Sequence, residues 1–162
     1  MDWFVKAFLK ASLAWLTLGV TLGVAMAAHP VWTVHRPAHM HMVMLGFVTM
    51  MIYGVAYHVI PRFTGAPLYS RRAAAWHWWV SNVGLALMVV GFALRANAAP
   101  VATPLLAVGG SLSAIGAYVF AFVLWRTMDG AARAAAARPA VVTPIGRGRP
   151  GAPASTAVAP ER

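Results

Sequence analysis

The sequence contains no cysteine, and this excludes several kinds of site at once. Without a thiol the chain cannot form a disulfide, a thiolate zinc site, a cysteine-ligated iron–sulfur cluster or the covalent attachment of a c-type haem. Acidic residues are nearly as scarce, because the 162 residues include only Asp2, Asp129 and Glu161. None of these carboxylates lies within a long apolar stretch, so the sequence shows no carboxylate route for protons across a membrane.

Charged residues of either sign make up 10% of the chain, and hydrophobic residues make up 60%. A soluble domain carries about 25% charged residues, so most of this chain is expected to lie in lipid. The net charge of +10 is also typical of nucleic-acid-binding proteins. The basic residues lie, however, at the ends of apolar stretches and in the C-terminal region, which favours membrane lipid as the partner and no nucleic acid.

Four apolar stretches approach the roughly 20 residues that a helix needs to cross a bilayer. They cover residues 8–28, 39–60, 77–94 and 104–125. The last three contain no charged residue, and proline-containing segments, which favour helix ends, follow the first three. Most of the seven tryptophans flank these stretches, as in the aromatic belts of membrane proteins. The sequence therefore predicts an all-α fold, an integral membrane four-helix bundle within residues 1–127.

The distribution of Lys and Arg predicts how these helices are oriented. All basic residues except Arg36 and Arg95 fall on one side of the membrane if the four stretches cross it in turn. Because cytoplasmic loops carry the excess of Lys and Arg, we expect both termini to be cytoplasmic in a bacterial-type inner (plasma) membrane. Residues 128–162 are rich in Ala, Pro, Gly and Arg and are expected to form a disordered basic cytoplasmic tail.

The second stretch opens on a segment, RPAHMHMVMLG, that places two histidines in an apolar helix. An imidazole inside a span is a functional hypothesis by default, because polar groups in lipid are costly. His39 and His41 point about 200° apart on a helix of 3.6 residues per turn, so they cannot chelate one ion together. Each can instead give an axial ligand to a haem on its own side, with Gly46 leaving space for porphyrin. Interfacial hydrogen bonding by the two imidazoles explains the residues equally well.

Family resemblance favours the haem interpretation. The stretch from His39 to Pro61 reads His-x-His-x-Val and then has a glycine and a further histidine, and it resembles the tenth helix of subunit I of the haem–copper oxidases. The segments YHVIPRF, LYSRR and WHWW that follow are similar to the tenth and eleventh helices of the C-family, the cbb-type cytochrome c oxidases. The resemblance extends from about Arg36 to Leu94.

The resemblance implies a ligand set and a function. In that family the first histidine of the pair is the proximal ligand of the high-spin haem and the second ligates the low-spin haem, so His39 and His41 are expected to bind the iron of haem b. Arg36 and Arg95 are expected to pair with haem propionates. Tyr53, a hydroxyl at membrane depth, is expected to contact haem or another helix. The leading function is electron transfer in a respiratory chain, with no residue assigned to catalysis.

The sequence also departs from the family, whose members have about twelve helices and bind copper with three further histidines and a cross-linked tyrosine. No such triad is visible, and no second axial histidine lies at matching depth, so enzymatic activity is left open. One hypothesis is a homo-oligomer that shares one or two haems, since the Gly19-x-x-x-Gly23 pattern and a face containing Gly109 and Ser113 are typical of close helix contacts. Helix pairing within one subunit explains these faces equally well.

Two alternatives stay open beside the leading function. The first is a component of an oxygen or nitric oxide reductase, whose missing ligands would come from a partner chain. Other respiratory oxidase subunits and an electron-donor cytochrome are the expected partners. The interleaved Met40, Met42 and Met44 favour Cu(I), so a copper or haem carrier for oxidase assembly is the second alternative.

His58 and His77 are expected at the inner interface, where they bond loop carbonyls or lipid phosphates.

Overall fold

The computed structural model describes residues 1–137, and within that range it consists of helices without strands. Four helical segments are long and apolar enough to cross a membrane, and they begin at Trp3, Pro30, Arg71 and Ala102. The chain is therefore an all-α, multi-pass membrane bundle, as its composition predicts. The predicted tail from residue 138 onwards lies outside the described residues.

The first, third and fourth segments are single α-helices. Helix α1 covers Trp3–Ala28. The second segment, called the second span below, is composite: a 3-10 helix over Pro30–His35, α2 over Arg36–His41, a π-helix over Met42–Thr49 and α3 over Met50–Thr64. Helix α4 covers Arg71–Ala96 and α5 covers Ala102–Ala136.

Helix boundaries differ from the predicted ones mainly by being wider. Helix α3 continues through Pro61, where the sequence predicted a stop, and ends at Gly65 with a left-handed φ of 64°. Helix α1 stops before His29 and α4 before Asn97, at the first and third of the proline-containing segments. Helix α5 runs on to Ala136, so the part of the predicted disordered tail before that residue is helical. Its alanine-rich sequence has high helix propensity, which explains the extension.

The helices pack as two antiparallel pairs, α1 with the second span and α4 with α5. The second pair makes a very close contact, because a Cβ built on Gly109 would lie 2.7 Å from the carbonyl oxygen of Gly84. The first pair is close at Gly19, where a built Cβ would lie 2.9 Å from a methyl group of Val43. Small residues therefore permit both pairs of backbones to approach each other.

The buried core lies towards the end of the bundle where α1 begins, α3 ends and α4 begins. Its largest side chains come from all three of those helices and from α5; they are Phe4, Phe8, Met50, Tyr53, Tyr57, Leu85, Val123 and Leu124. The opposite end, where α2 and the end of α4 lie, buries mainly small residues such as Ala38, Gly91 and Ala102. Large side chains therefore fill the core at one end of the bundle, and small residues are buried at the other.

Candidate functional site

His39 lies on the side of α2 that faces α1. Its Nδ1 is 2.8 Å from the carbonyl oxygen of Gly19. The ring lies over Gly23, since a Cβ built there would be 3.0 Å from Cε1 of His39. The two glycines of α1 thus make the groove that accepts this imidazole, and a larger residue at the second one would displace the ring.

His41 faces a different neighbour, α4, where its ring centroid lies 4.8 Å from that of Phe92. Its Nδ1 is 2.8 Å from the carbonyl oxygen of Pro37, one turn earlier in its own helix. An open pocket of about 270 Å³ adjoins the ring, and its other lining residues are Met40, Met44 and Leu45. The two imidazoles therefore diverge, as their spacing predicts, and the second borders an open apolar pocket.

The hydrogen bonds fix the tautomer of both rings. A carbonyl oxygen accepts and cannot donate, so Nδ1 of His39 and Nδ1 of His41 each carry the proton. In a neutral imidazole the lone pair is then on Nε2. Histidines that bind metals usually donate their other ring N–H to a carbonyl or carboxylate, which orients the ring and raises its basicity. Both rings therefore have the orienting hydrogen bond that is typical of a metal-binding histidine.

The other predicted site residues lie in varied surroundings. Arg36 and Arg95 are exposed at the same end of the bundle as His41. The space beside Gly46 is filled within the chain, because a built Cβ would lie 2.5 Å from Cβ of Trp15. Tyr53 lies in the core at the other end. The arginines are thus free to meet anionic groups, while the glycine serves helix packing.

His77 is the residue that the sequence placed wrongly. It is 1% exposed rather than interfacial, and its Nδ1 is 2.9 Å from the hydroxyl of Tyr57. Aromatic rings from three other helices surround it. Neighbouring ring centroids in this group, His77 included, are 4.4 to 6.1 Å apart, and the other rings are those of Phe8, Tyr53, Tyr57 and Phe120. We call these five residues the aromatic cluster. It joins all four membrane-crossing segments.

The second nitrogen of His77, Nε2, has no hydrogen-bond partner, and neither has the buried Oγ of Ser81. A Cβ built on Gly116 would lie 2.5 Å from that Oγ and 3.6 Å from Nε2. The pair is thus enclosed by α5, with no space for a planar cofactor. One signal pointed to this cluster: Tyr53 and Tyr57 are spaced by four residues, as are His77 and Ser81, so each pair shares a helix face.

His58 and the small-residue faces complete the comparison with expectation. His58 is half-buried, and its Nδ1 accepts from Nη1 of Arg62 at 2.8 Å. The faces at Gly19 and Gly109 are occupied by the chain's own helices, so these faces do not by themselves indicate contact between copies. Among residues 1–137 no three His, Asp or Glu side chains come together as a metal site.

The fold and the divergent imidazoles define a multi-pass membrane protein with two ligand-type histidines on one helix. The family described as Cytochrome C and Quinol oxidase polypeptide I matches residues 5–104 of the sequence. The chain belongs to this family, which confirms the predicted relation to the haem–copper oxidase subunit I superfamily. The matched range includes nearly all of the first three membrane-crossing segments and the start of α5.

Two curated relatives agree with this assignment. The chain is 29% identical over 122 residues to Cytochrome c oxidase subunit 1 of Rhodobacter capsulatus, covering 60% of this chain and 22% of that protein. It is 36% identical over 52 residues to Cytochrome c oxidase subunit 1 homolog of Azorhizobium caulinodans, covering 32% of this chain and 9% of that protein. The chain thus spans less than a quarter of the length of either relative, 22% at most.

Proposed function

We propose that the chain is a haem b-binding membrane protein of respiratory electron transfer, similar to a fragment of cbb-type cytochrome c oxidase subunit I. The proposal rests on the hydrogen-bonding arrangement that His39 and His41 have in common. The Nδ1–H of each imidazole donates a hydrogen bond to a backbone carbonyl oxygen at 2.8 Å, which leaves the lone pair of the neutral ring on Nε2. Family membership supplies the expectation that histidines of this motif bind haem iron.

The residues around His41 fit a haem better than those around His39. The pocket beside His41 is open and almost wholly apolar, as a porphyrin face requires. At about 270 Å³ it holds only part of a haem, so the rest of the macrocycle would lie against lipid or a partner chain. His39 is held in the groove of α1 at Gly19 and Gly23, so a haem there requires α1 to move aside.

Bound haem supplies reversible one-electron chemistry at iron, and no atom transfer is needed. Nε2 of His41 would be the atom that holds the haem, and the carbonyl of Pro37, 2.8 Å from Nδ1, would keep the ring in position. The side chains of Met40 and Met44 exclude water from this side. Arg36 and Arg95 lie at the same end of the bundle and compensate the propionate charges.

A partner chain supplies what this chain lacks. The curated relatives are several times longer, and the described residues offer an open apolar pocket beside one histidine and no three-ligand metal site. We propose that other respiratory oxidase subunits would supply the further residues that hold the haem, and that an electron-donor cytochrome would be the source of electrons. An oxygen or nitric oxide reductase activity would reside in such an assembly. Both termini would face the cytoplasm of a bacterial inner membrane.

One observation favours a second candidate, a copper carrier for oxidase assembly. The thioethers of Met40 and Met44 line the same pocket as the imidazole of His41. Two thioethers and an imidazole suit Cu(I). The pocket itself is therefore common to both proposals, and the bound metal separates them.

The test is a reduced-minus-oxidised spectrum of the purified full chain, with metal analysis. We expect a b-type spectrum that His41→Ala removes, that His39→Ala alters, and that the matched variant His35→Ala leaves intact. His35 precedes α2 and lines neither the groove nor the pocket. A colourless preparation with stoichiometric copper supports the carrier. A spectrum unchanged in both His39→Ala and His41→Ala overturns the proposal.

A further inference from the structure

A half-enclosed pocket of about 290 Å³ opens at the end of the bundle where α1 begins and α3 ends. It lies at the opposite end from His39 and His41, so its chemistry does not depend on haem binding. Four different elements form its walls: the start of α1, the last turns of α3, the loop after α3 and the first turn of α4. The polar side chains that line it are Asp2, Tyr57, His58, Arg62 and Arg71.

The charges of these side chains leave the pocket positive. Arg71 forms an ion pair with Asp2. Arg62 donates from Nη1 to the carbonyl oxygen of His58 at 2.7 Å and to its Nδ1 at 2.8 Å. A guanidinium has five N–H donors, so both arginines keep donors beyond these bonds. Two guanidinium groups against one carboxylate therefore give the pocket a net attraction for anions.

The position of the pocket relative to the membrane surface indicates which anion it meets. Three tryptophans at the starts of α1 and α4 are exposed at this end; they are Trp3, Trp76 and Trp79. Exposed indoles on a membrane protein lie at the level of the lipid headgroups. Apolar residues also line the pocket; they are Val5, Pro61, Pro67 and Leu68. The site thus offers an apolar wall beside two anion-binding forks at headgroup level.

We propose that this pocket binds the phosphate group of an anionic phospholipid. Arginine forks match phosphate oxygens in a bidentate way, so Arg62 and Arg71 would hold the headgroup from two sides. The glycerol part of the lipid would lie against Val5 and Leu68. Soluble phosphate compounds share this chemistry, and the test separates the two sources. Asp2 acts as an internal competitor, since its carboxylate occupies donors of Arg71.

The experiment titrates phosphatidylglycerol into the full chain in neutral detergent micelles and measures bound lipid by native mass spectrometry. We expect Arg62→Gln and Arg71→Gln each to weaken binding about tenfold, the loss of a hydrogen bond to a charged group. We expect Asp2→Asn to tighten it. The matched control is Arg72→Gln, which removes the same charge from the adjacent residue without touching the pocket lining. Diacylglycerol of the same chains, which lacks phosphate, should not bind.

Competition by inorganic phosphate distinguishes the sources. Displacement of the lipid by millimolar phosphate would keep the phosphate chemistry but overturn the lipid as its natural source. An equal loss in Arg62→Gln, Arg71→Gln and Arg72→Gln would mean diffuse attraction to surface charge and would overturn the site. The lysine variants Arg62→Lys and Arg71→Lys guard against misfolding, because a kept charge should preserve part of the binding.

Discussion

Alanine should be tolerated less well at Gly109 than at Gly110, its neighbour in α5. A Cβ on Gly109 would lie 2.7 Å from the carbonyl oxygen of Gly84 and 2.8 Å from the backbone nitrogen of Met88. These are backbone atoms of α4, which cannot rotate away, so the two helices must separate. A Cβ on Gly110 would meet nothing within 4 Å. The two substitutions are otherwise identical in chemistry and lie side by side in one helix.

The magnitude follows from two opposing contributions. Alanine gains about 1 kcal/mol of helix propensity over glycine at either position, and this gain cancels when the two variants are compared. Overpacking a close contact costs about 1–3 kcal/mol, and it applies to Gly109→Ala alone. We therefore expect Gly109→Ala to unfold about 1–3 kcal/mol more easily than Gly110→Ala.

The assay is unfolding of the full chain by SDS in mixed micelles, followed by far-ultraviolet circular dichroism. The difference between the two midpoints, multiplied by the slope of the transition, gives the difference in free energy of unfolding. Equal midpoints would refute the claim that α4 and α5 are in backbone contact at Gly84 and Gly109. A second readout, the mass of the protein–detergent complex, should be the same for both variants, because this face is used within one chain rather than between copies.

Two further predictions concern the opposite end of the bundle. Tyr57→Phe removes the hydroxyl that lies 2.9 Å from Nδ1 of His77. Because this leaves a buried polar group unpaired, it should lower the free energy of unfolding by about 1–3 kcal/mol in the same SDS assay. The control Tyr118→Phe, at a residue 73% exposed, should change little, and equal effects of the two would contradict the buried bond. Gly65→Ala places a Cβ on a residue with a φ of 64°, which should lower the free energy of unfolding by about 1 kcal/mol. Gly130 is a helical glycine with open space around it, so Gly130→Ala should not destabilise the protein. A thermal melt that ranks the two variants the other way would refute the left-handed end of α3.

The four-helix membrane bundle could be predicted because lipid leaves few choices. Long apolar stretches without charge must be helical so that every backbone group is bonded within the segment. The divergence of His39 and His41 followed from the helical repeat alone. Both features depend on apolar length and on the helical repeat, and not on how the helices pack against each other. They could therefore be predicted from the sequence.

The location of His77 could not be predicted in the same way. The expected start of the third span was His77 itself, because Arg71 and Arg72 were placed outside the membrane. Long basic side chains can extend towards water while their helix continues inwards, and α4 in fact begins at Arg71. The extra turns of helix before His77 carry it into the core, where its partners come from three other helices. Contacts of that kind depend on tertiary packing.

The space beside Gly46 illustrates a second limit. Small residues in a span predict a close neighbour but not its identity. The sequence suggested a porphyrin, and the structure places Trp15 there, with its Nε1 donating to Oδ1 of Asn82 at 3.3 Å. A glycine thus marked a real gap, and the residue that fills it comes from another helix, at a sequence separation that no local pattern encodes.

The π-helix over Met42–Thr49 has a consequence for how this family segment can vary. Each π turn closes a hydrogen bond one residue further along than an α turn does, so the stretch changes the angular phase between α2 before it and α3 after it. His41 and Tyr53 consequently do not keep the rotational relation that a uniform α-helix would impose. The direction of the histidine pair can be adjusted by insertion or deletion inside this stretch while the tyrosines stay locked against His77. A single deleted residue there would turn the pair by roughly 100°, the angle of one α-helical residue.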